Sequence, residues 1–169
     1  MKKTVLTFGL ISGAVSAAMM FATLPFIEQI GFDRGAIVGY TAIVLSFLLV
    51  YFGIRSYREN VAGGRITFGR GFAVGILITL ISCASYVVAW EIIYFNFMPD
   101  FVDKYAANVI GKAKAAGASQ SEIDAQTRQL ESFKTMYANP LLNAAMTFTE
   151  PFPVGLAITL ISAGVLRKK

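Results

Sequence analysis

The sequence predicts an all-α protein in which a membrane-embedded four-helix bundle carries an extramembrane helical hairpin between transmembrane helices 3 and 4. Hydrophobic residues make up 56% of the chain and charged residues only 15%, whereas an ordinary soluble domain has roughly 25% charged residues. The mean hydropathy is +0.61. A chain this short cannot bury so much apolar surface internally, because small domains hide only about two thirds of their surface on folding. We therefore expect a single integral membrane domain over residues 1–169.

Four apolar runs are long enough to cross a bilayer, for which about 20 residues suffice. They cover residues 5–27, 36–54, 71–94 and 141–166. A cleaved signal peptide is an alternative for the first run, with a candidate cleavage site at residues 15–17. The run continues well beyond that site, which favours an uncleaved span.

The segment 98–139 differs from the apolar runs on either side, because its hydrophobic residues are spaced as on one face of a helix. Phe101, Tyr105 and Val109 recur every four residues. Further on, Ser119 and Glu122 match a capping box, in which the serine oxygen accepts from the third backbone amide and the glutamate reaches back to the cap. The second helix that begins there has one apolar face. Its residues are Ile123, Thr127, Leu130, Phe133 and Tyr137. The insert is thus predicted to be a hairpin of two amphipathic helices.

The orientation follows from the basic residues near the ends of the spans, which are enriched on the cytoplasmic side of membrane proteins. Nine of them fall on one side of the predicted membrane. They are Lys2, Lys3, Arg55, Arg58, Arg65, Arg70, Arg167, Lys168 and Lys169. The other side has Arg34 and five basic residues in the insert. Both termini are therefore predicted to be cytoplasmic and the hairpin extracytoplasmic, and the net charge of +5 marks orientation rather than a nucleic-acid partner.

Several chemistries are disfavoured by composition. The chain has no histidine, the commonest general base and metal ligand, so we expect no catalytic site, no metal site and no cofactor. The single cysteine, Cys83, lies inside an apolar run, where a thiol is normally inert.

Three short segments resemble a known family. They are Gly53-Ile54-Arg55-Ser56-Tyr57-Arg58, Gly64-Arg65-Ile66-Thr67-Phe68-Gly69 and Phe152-Pro153-Val154-Gly155. Together with the Pro99-Asp100-Phe101 start and the Asn139-Pro140-Leu141 end of the insert, they are similar to the bacterial membrane family called domain of unknown function 4199. The resemblance covers nearly the whole chain. It implies a multi-span protein of the bacterial cytoplasmic (inner) membrane, and it supplies no activity and no functional residues.

Two carboxylates lie within the predicted spans, where ionisable groups are costly and are functional candidates by default. Glu91 is near the outer end of the third span, close enough to the interface to reach water or to pair with Arg34. Glu150 lies about a third of the way into the fourth span. Structural roles are the plainer interpretation of both.

The fourth span is expected to kink beside Glu150, because Pro151 and Pro153 cannot donate backbone hydrogen bonds. The carbonyls of Thr147 and Thr149, four residues earlier, would be released. Freed carbonyls, two threonine hydroxyls and a carboxylate at one level make a cation or proton site chemically possible. The alternative is a kink whose carbonyls are satisfied by neighbouring helices.

Two further patterns have a structural and a functional interpretation. The arginines of the loop between spans two and three could contact anionic lipid headgroups or could only fix topology. They are Arg55, Arg58, Arg65 and Arg70. Small-residue pairs at Gly9/Gly13, Gly35/Gly39 and Gly71/Gly75 predict close helix contacts, in the first place within one bundle and alternatively between copies in a homo-oligomer.

The favoured function is that of a non-enzymatic interaction or accessory protein, because the hairpin 98–139 is the largest feature that spanning a bilayer does not require. Its partners would be the lipid bilayer and, through the hairpin, either an extracytoplasmic protein or further copies of the chain in a homo-oligomer. The alternative is a small oligomeric ion or proton transporter or channel that uses Glu150. An intramembrane enzyme is disfavoured, since it would need Glu91 and Glu150 to be adjacent as acid and base.

Overall fold

The computed structural model describes residues 1–168, with the exception of the Glu28 side chain. Lys169, one of the nine basic residues used for the orientation, lies outside the described residues. Within them the chain forms seven α-helices, a short 3₁₀ turn and no strand. The helices are α1 (Lys2–Thr23), α2 (Ile27–Asn60), α3 (Phe68–Phe97), α4 (Phe101–Ala115), α5 (Gln120–Tyr137), α6 (Pro140–Phe148) and α7 (Pro151–Leu166). The predicted all-α helical bundle is confirmed.

Four helical stretches are long and apolar enough to cross a membrane. They run over Lys2–Phe26, Gln29–Asn60, Phe68–Phe97 and Pro140–Leu166. The second begins earlier than residue 36, where the sequence predicted it to start. Within α2 the backbone leaves helical geometry at Gly31 (φ 70°) and resumes at Phe32. The helix therefore includes the polar residues Asp33 and Arg34, which are compatible with a helix that projects beyond an apolar core.

The described chain falls into two compact units. The bundle unit comprises Met1–Trp90 together with the chain from Thr147 onward, and the hairpin unit comprises Glu91–Met146. Each unit is built around its own contacts.

The exposed surface of the bundle unit is apolar, as α7 illustrates. Ile161 and Val165 are 65% and 69% exposed, whereas Thr159 and Ser162 are 0% and 4% exposed. Apolar side chains therefore cover the outer face of α7, and small polar side chains lie inside the bundle beside an apolar core that includes Phe47, Ile54 and Ile78. This arrangement is unfavourable in water and is expected in lipid, where polar groups must find partners between helices.

Small residues let the helices of the bundle unit approach closely. A Cβ added at Gly9 would meet the Ile81 side chain at 2.8 Å, and one at Gly75 would meet Thr159 at the same distance. The predicted close contacts at Gly9/Gly13 and Gly71/Gly75 are thus confirmed. The prediction for Gly35/Gly39 was wrong for the described residues, since nothing lies within 4 Å of a Cβ at Gly39. The spacing of small residues does not specify whether a neighbouring helix covers that face.

The hairpin unit consists of α4 and α5 with the adjoining ends of α3 and α6. Gly117 (φ 78°) ends α4, and the Ala118 N–H donates to the Ala113 carbonyl at 3.0 Å, as in a Schellman motif. The capping box of Ser119 and Glu122 then starts α5, as the sequence predicted.

Aromatic rings from three helices form an aromatic seam, which we define as Tyr94 on α3, Tyr105 on α4, and Phe133 and Tyr137 on α5. The ring centroids of Phe133 and Tyr137 are 4.8 Å apart, and those of Tyr94 and Tyr137 are 5.2 Å apart. Phe133 and Tyr105 are in looser contact at 6.4 Å. An ion pair between Asp103 and Lys134 accompanies the seam. No residue of α5 is fully buried, so its packing rests on the seam and on other half-buried side chains such as Ile123 and Leu130.

Acidification is expected to fray the first turn of α5. Hydrogen bonds from the Ser119 hydroxyl and then from its backbone N–H lower the pKa of Glu122. Because the pKa of Glu122 is lower in the folded state, the ionised side chain stabilises the folded state at any pH above its unfolded-state pKa of about 4.3. This stabilisation is lost as the pH falls through the folded-state pKa. Hydrogen-exchange protection factors across the first turn of α5 should therefore drop between pH 7 and pH 3. The variant Glu122→Gln cannot ionise and should lose this dependence; an equal drop in the variant would contradict the assignment.

Candidate functional site

The fourth span is interrupted beside Glu150, as the sequence predicted. Helix α6 ends at Phe148 and α7 begins at Pro151, so that Thr149 and Glu150 form a turn between them. The Glu150 N–H donates to the Thr147 carbonyl at 3.3 Å. One of the two carbonyls expected to be released by the prolines therefore has a partner within the turn.

The Glu150 carboxylate is held by a tyrosine from the third span. The Tyr86 hydroxyl donates to Oε2 of Glu150 at 2.8 Å. The Tyr86 side chain is buried, whereas Glu150 is exposed at the surface of the bundle unit. Glu150 immediately precedes α7, and its side chain forms no capping hydrogen bond to that helix.

The side chains that could form a cation site beside Glu150 differ in their exposure. Thr147 is buried at 4% exposure, whereas Thr149 and Glu150 are exposed. Among the described residues no group of three or more Asp, Glu, His or Cys side chains could hold a metal ion. The break therefore supplies one carboxylate with one tyrosine donor, which can anchor two helices or accept a single proton.

Glu91 lies in the hairpin unit and Glu150 in the bundle unit. The Oε1 atom of Glu91 is buried, and within the described part of the chain it has no hydrogen-bond partner. Gln126 Oε1, in the same unit, is in the same situation. An unpaired buried oxygen of this kind is a costly feature that a proton or a donor from another molecule would relieve.

The four arginines, which lie at the end of α2, in the loop that follows and at the start of α3, separate into two pairs. Arg58 Nη1 donates to the Leu166 carbonyl at the end of α7 at 3.1 Å, and its Nε donates to Glu59 at 2.9 Å. Arg70 Nε donates to the Tyr57 hydroxyl at 3.1 Å. Arg55 and Arg65 are exposed, and their side chains form no hydrogen bond or ion pair with any part of the chain that the structure describes.

Sequence inspection missed a network of buried hydroxyls that joins the first three spans. The Ser12 hydroxyl donates to the Ser46 carbonyl at 2.9 Å and lies 2.8 Å from the Ser82 hydroxyl. Ser16 donates to the Ser46 hydroxyl at 2.8 Å. These four serines are at most 4% exposed. They connect α1 to α2 and α3 through hydrogen bonds that lipid cannot replace.

A second hydroxyl contact joins α3 to α7. The hydroxyls of Thr79 and Thr159 are 3.0 Å apart, and Thr79 also donates to the Gly155 carbonyl at 3.4 Å. The signal for both groups was present in the sequence as polar residues three or four positions apart inside apolar runs. Ser12 and Ser16 on α1 and Thr79 and Ser82 on α3 follow that spacing.

The replacement Ser12→Ala is expected to lower the stability of the bundle by about 1–2 kcal/mol, since a transmembrane hydrogen bond between helices contributes about that much. Loss of the hydroxyl also leaves the buried Ser82 with one partner fewer. Unfolding in mixed micelles provides the measurement. The control is Ser85→Ala, because the Ser85 hydroxyl bonds only to the Ile81 carbonyl of its own helix among the contacts described. Equal losses in the two variants would contradict a role for the interhelical bonds.

A family model described as "Protein of unknown function (DUF4199)" matches residues 7–168 of the chain. No curated protein and no solved structure shows significant similarity to it. The match extends over both units and includes the last three apolar stretches and most of the first.

Proposed function

The chain belongs to the DUF4199 family of proteins of unknown function, and from its two units we propose that it is a non-enzymatic accessory protein of the bacterial inner membrane that acts through its hairpin. The outward-facing apolar side chains of the bundle unit support insertion in a bilayer. The polar groups inside it are engaged in contacts between helices, which supports a structural interior rather than a catalytic one.

The observation that carries this proposal is the hairpin unit itself. Helices α4 and α5 are amphipathic, are joined along the aromatic seam and contain a well-formed capping box. Spanning a membrane requires none of these features. Beyond the seam, Met136 on α5 is 40% exposed. An exposed apolar position on an otherwise polar hairpin favours contact with another protein.

The proposed orientation has both termini in the cytoplasm and the hairpin outside. Cysteine labelling tests it, with Cys83→Ser as background and Ser119→Cys as the probe, since Ser119 is exposed at the turn of the hairpin. We expect a membrane-impermeant reagent to label intact spheroplasts. The control Asn60→Cys, at the exposed end of α2, should be labelled only after lysis. The reverse pattern would invert the orientation.

Partner binding is tested by a photo-crosslinking amino acid at Met136 in the intact membrane. We expect a discrete crosslinked product from this exposed position. The matched position is Val165, which is 69% exposed on a membrane-spanning helix and should contact lipid alone. A second control places the crosslinker at Met136 in the Phe133→Glu background, in which the seam is broken. Equal yields in all three samples would overturn the proposal.

A small oligomeric ion or proton transporter is the second candidate. The hydrogen bond from Tyr86 to Glu150 beside the break in the fourth span favours it, because a carboxylate with one donor can exchange a proton. Liposomes that contain wild-type protein or Glu150→Gln separate the two functions. Under the first proposal the two samples conduct ions and protons equally; flux that is present in the wild type and abolished in the variant would support transport.

A further inference from the structure

Two basic segments distant in sequence meet at one end of the bundle unit. The Ile66 N–H donates to the Lys168 carbonyl, and the Lys168 N–H donates to the Ile66 carbonyl, both at 3.0 Å. This antiparallel bridge holds the residues that follow α7 against the loop between α2 and α3. The contact from Arg58 to the Leu166 carbonyl reinforces it at 3.1 Å. The loop and the tail therefore form one surface.

Most of the charge on this surface is not neutralised by the protein. We define the basic rim as Arg55, Arg65, Arg167 and Lys168, all of which are exposed. Within the described residues their side chains form no hydrogen bond or ion pair. The nearby carboxylate is Glu59, which is bound directly by Arg58 and lies within electrostatic range of Arg55 and Lys168. Arg58 thus offsets Glu59, and the rim keeps a positive charge.

The basic rim lies near the ends of three membrane-length apolar stretches. Arg55 is in the last two turns of α2, Arg65 lies between α2 and α3, and Arg167 and Lys168 follow α7. Phe52, one helical turn before Arg55 on α2, is 49% exposed, and Phe68 at the start of α3 is 40% exposed. A ligand bound here would thus meet guanidinium and ammonium groups at one end and apolar side chains at the other.

We propose that the basic rim binds the headgroups of anionic phospholipids. Guanidinium groups match phosphate oxygens in bidentate geometry, and the neighbouring phenylalanines favour a ligand with acyl chains over a free anion. The site goes beyond the function proposed for the hairpin and requires only that the bundle unit be inserted in a membrane. Arg58 and Arg70 are excluded from it because protein groups hold their side chains.

Native mass spectrometry of the full-length protein tests the site, with phosphatidylglycerol and phosphatidylcholine supplied in equal amounts in detergent. We expect the wild type to retain phosphatidylglycerol preferentially. In the double variant Arg55→Gln/Arg65→Gln this preference should fall about 10- to 30-fold, from the contribution of two basic residues near a headgroup. The control Lys114→Gln/Arg128→Gln removes the same charge from exposed positions of the hairpin and should keep the preference.

Four results would overturn the proposal. The first is an unchanged preference in the Arg55/Arg65 variant. The second is an equal loss in the hairpin control, which would reflect net charge alone. The third is complete displacement of phosphatidylglycerol by millimolar inorganic phosphate, which would indicate a site for a free anion. The salt dependence of lipid binding provides a measurement that needs no variant. The wild-type preference for phosphatidylglycerol should weaken as the salt concentration rises from about 0.1 to about 0.5 M, because salt screens exposed charges. A preference that does not depend on salt would be the fourth contradicting result.

Discussion

The variant Gly155→Val is expected to destabilise the bundle by about 3 kcal/mol or more, enough to prevent assembly of a marginally stable protein. A Cβ at this position would lie 2.5 Å from Thr79 Cγ2 and 2.8 Å from Phe47 Cζ. Both neighbours are fully buried, so neither side chain can move away cheaply. Separating the helices to make room would also break the hydrogen bond from Thr79 to the Gly155 carbonyl. Unfolding by a denaturing detergent in mixed micelles measures the loss.

The matched control is Gly164→Val on the same helix. No atom lies within 4 Å of a Cβ built at Gly164, so the added side chain projects into open space. We expect a change in the free energy of unfolding of less than about 1 kcal/mol, the range of helix-propensity differences. Similar losses at both positions would mean that the effect arises from valine in the helix and not from the contact of α7 with α2 and α3.

The second large effect is expected at Phe133, where the change Phe133→Glu should unfold the hairpin and leave the bundle unit intact. The substitution removes the ring that contacts both Tyr137 and Tyr105 and places a carboxylate in the aromatic seam. Truncating a large buried side chain costs about 3–5 kcal/mol, and this half-buried one should cost about 2 kcal/mol. With no fully buried residue in α5 to compensate, amide protection in α4 and α5 should collapse to that of an unfolded peptide.

Met136→Glu adds the same charge three residues further along α5 and provides the control for this loss. Met136 is 40% exposed and lies outside the seam. Amide protection in the hairpin should remain close to that of the wild type. If Met136→Glu unfolds the hairpin as completely as Phe133→Glu, added negative charge and not the seam is responsible.

Features that depend on local composition could be predicted from the sequence. Apolar length alone indicates the four spans, the Ser119 and Glu122 pattern indicates the start of α5, and the prolines after Glu150 indicate the break in the fourth span. Each of these follows from backbone hydrogen bonding or solvation within about ten residues. The structure therefore matches these expectations to within a few residues at most ends.

Features that depend on packing between helices could not be predicted in the same way. Gly35/Gly39 and Gly71/Gly75 have the same spacing, but only the second pair has a neighbour in contact. Likewise, Arg58 and Arg65 look equivalent in the loop, although only Arg58 reaches the end of α7. The sequence indicates Glu150 as a candidate position. It does not indicate the hydrogen-bond donor of Glu150, because Tyr86 lies 64 residues away in the sequence.

The bridge between Ile66 and Lys168 has a consequence for the order of folding. Its neighbouring contact, from Arg58 to Leu166, joins residues 108 positions apart. Contacts of such separation close a long loop and therefore form late, after the helices between them have been placed. The Ile66 amide can thus be protected from solvent exchange only once the fourth span has docked against the second. Its exchange rate reports completion of the whole bundle, and in a refolding experiment it should become protected after the amides of the hairpin.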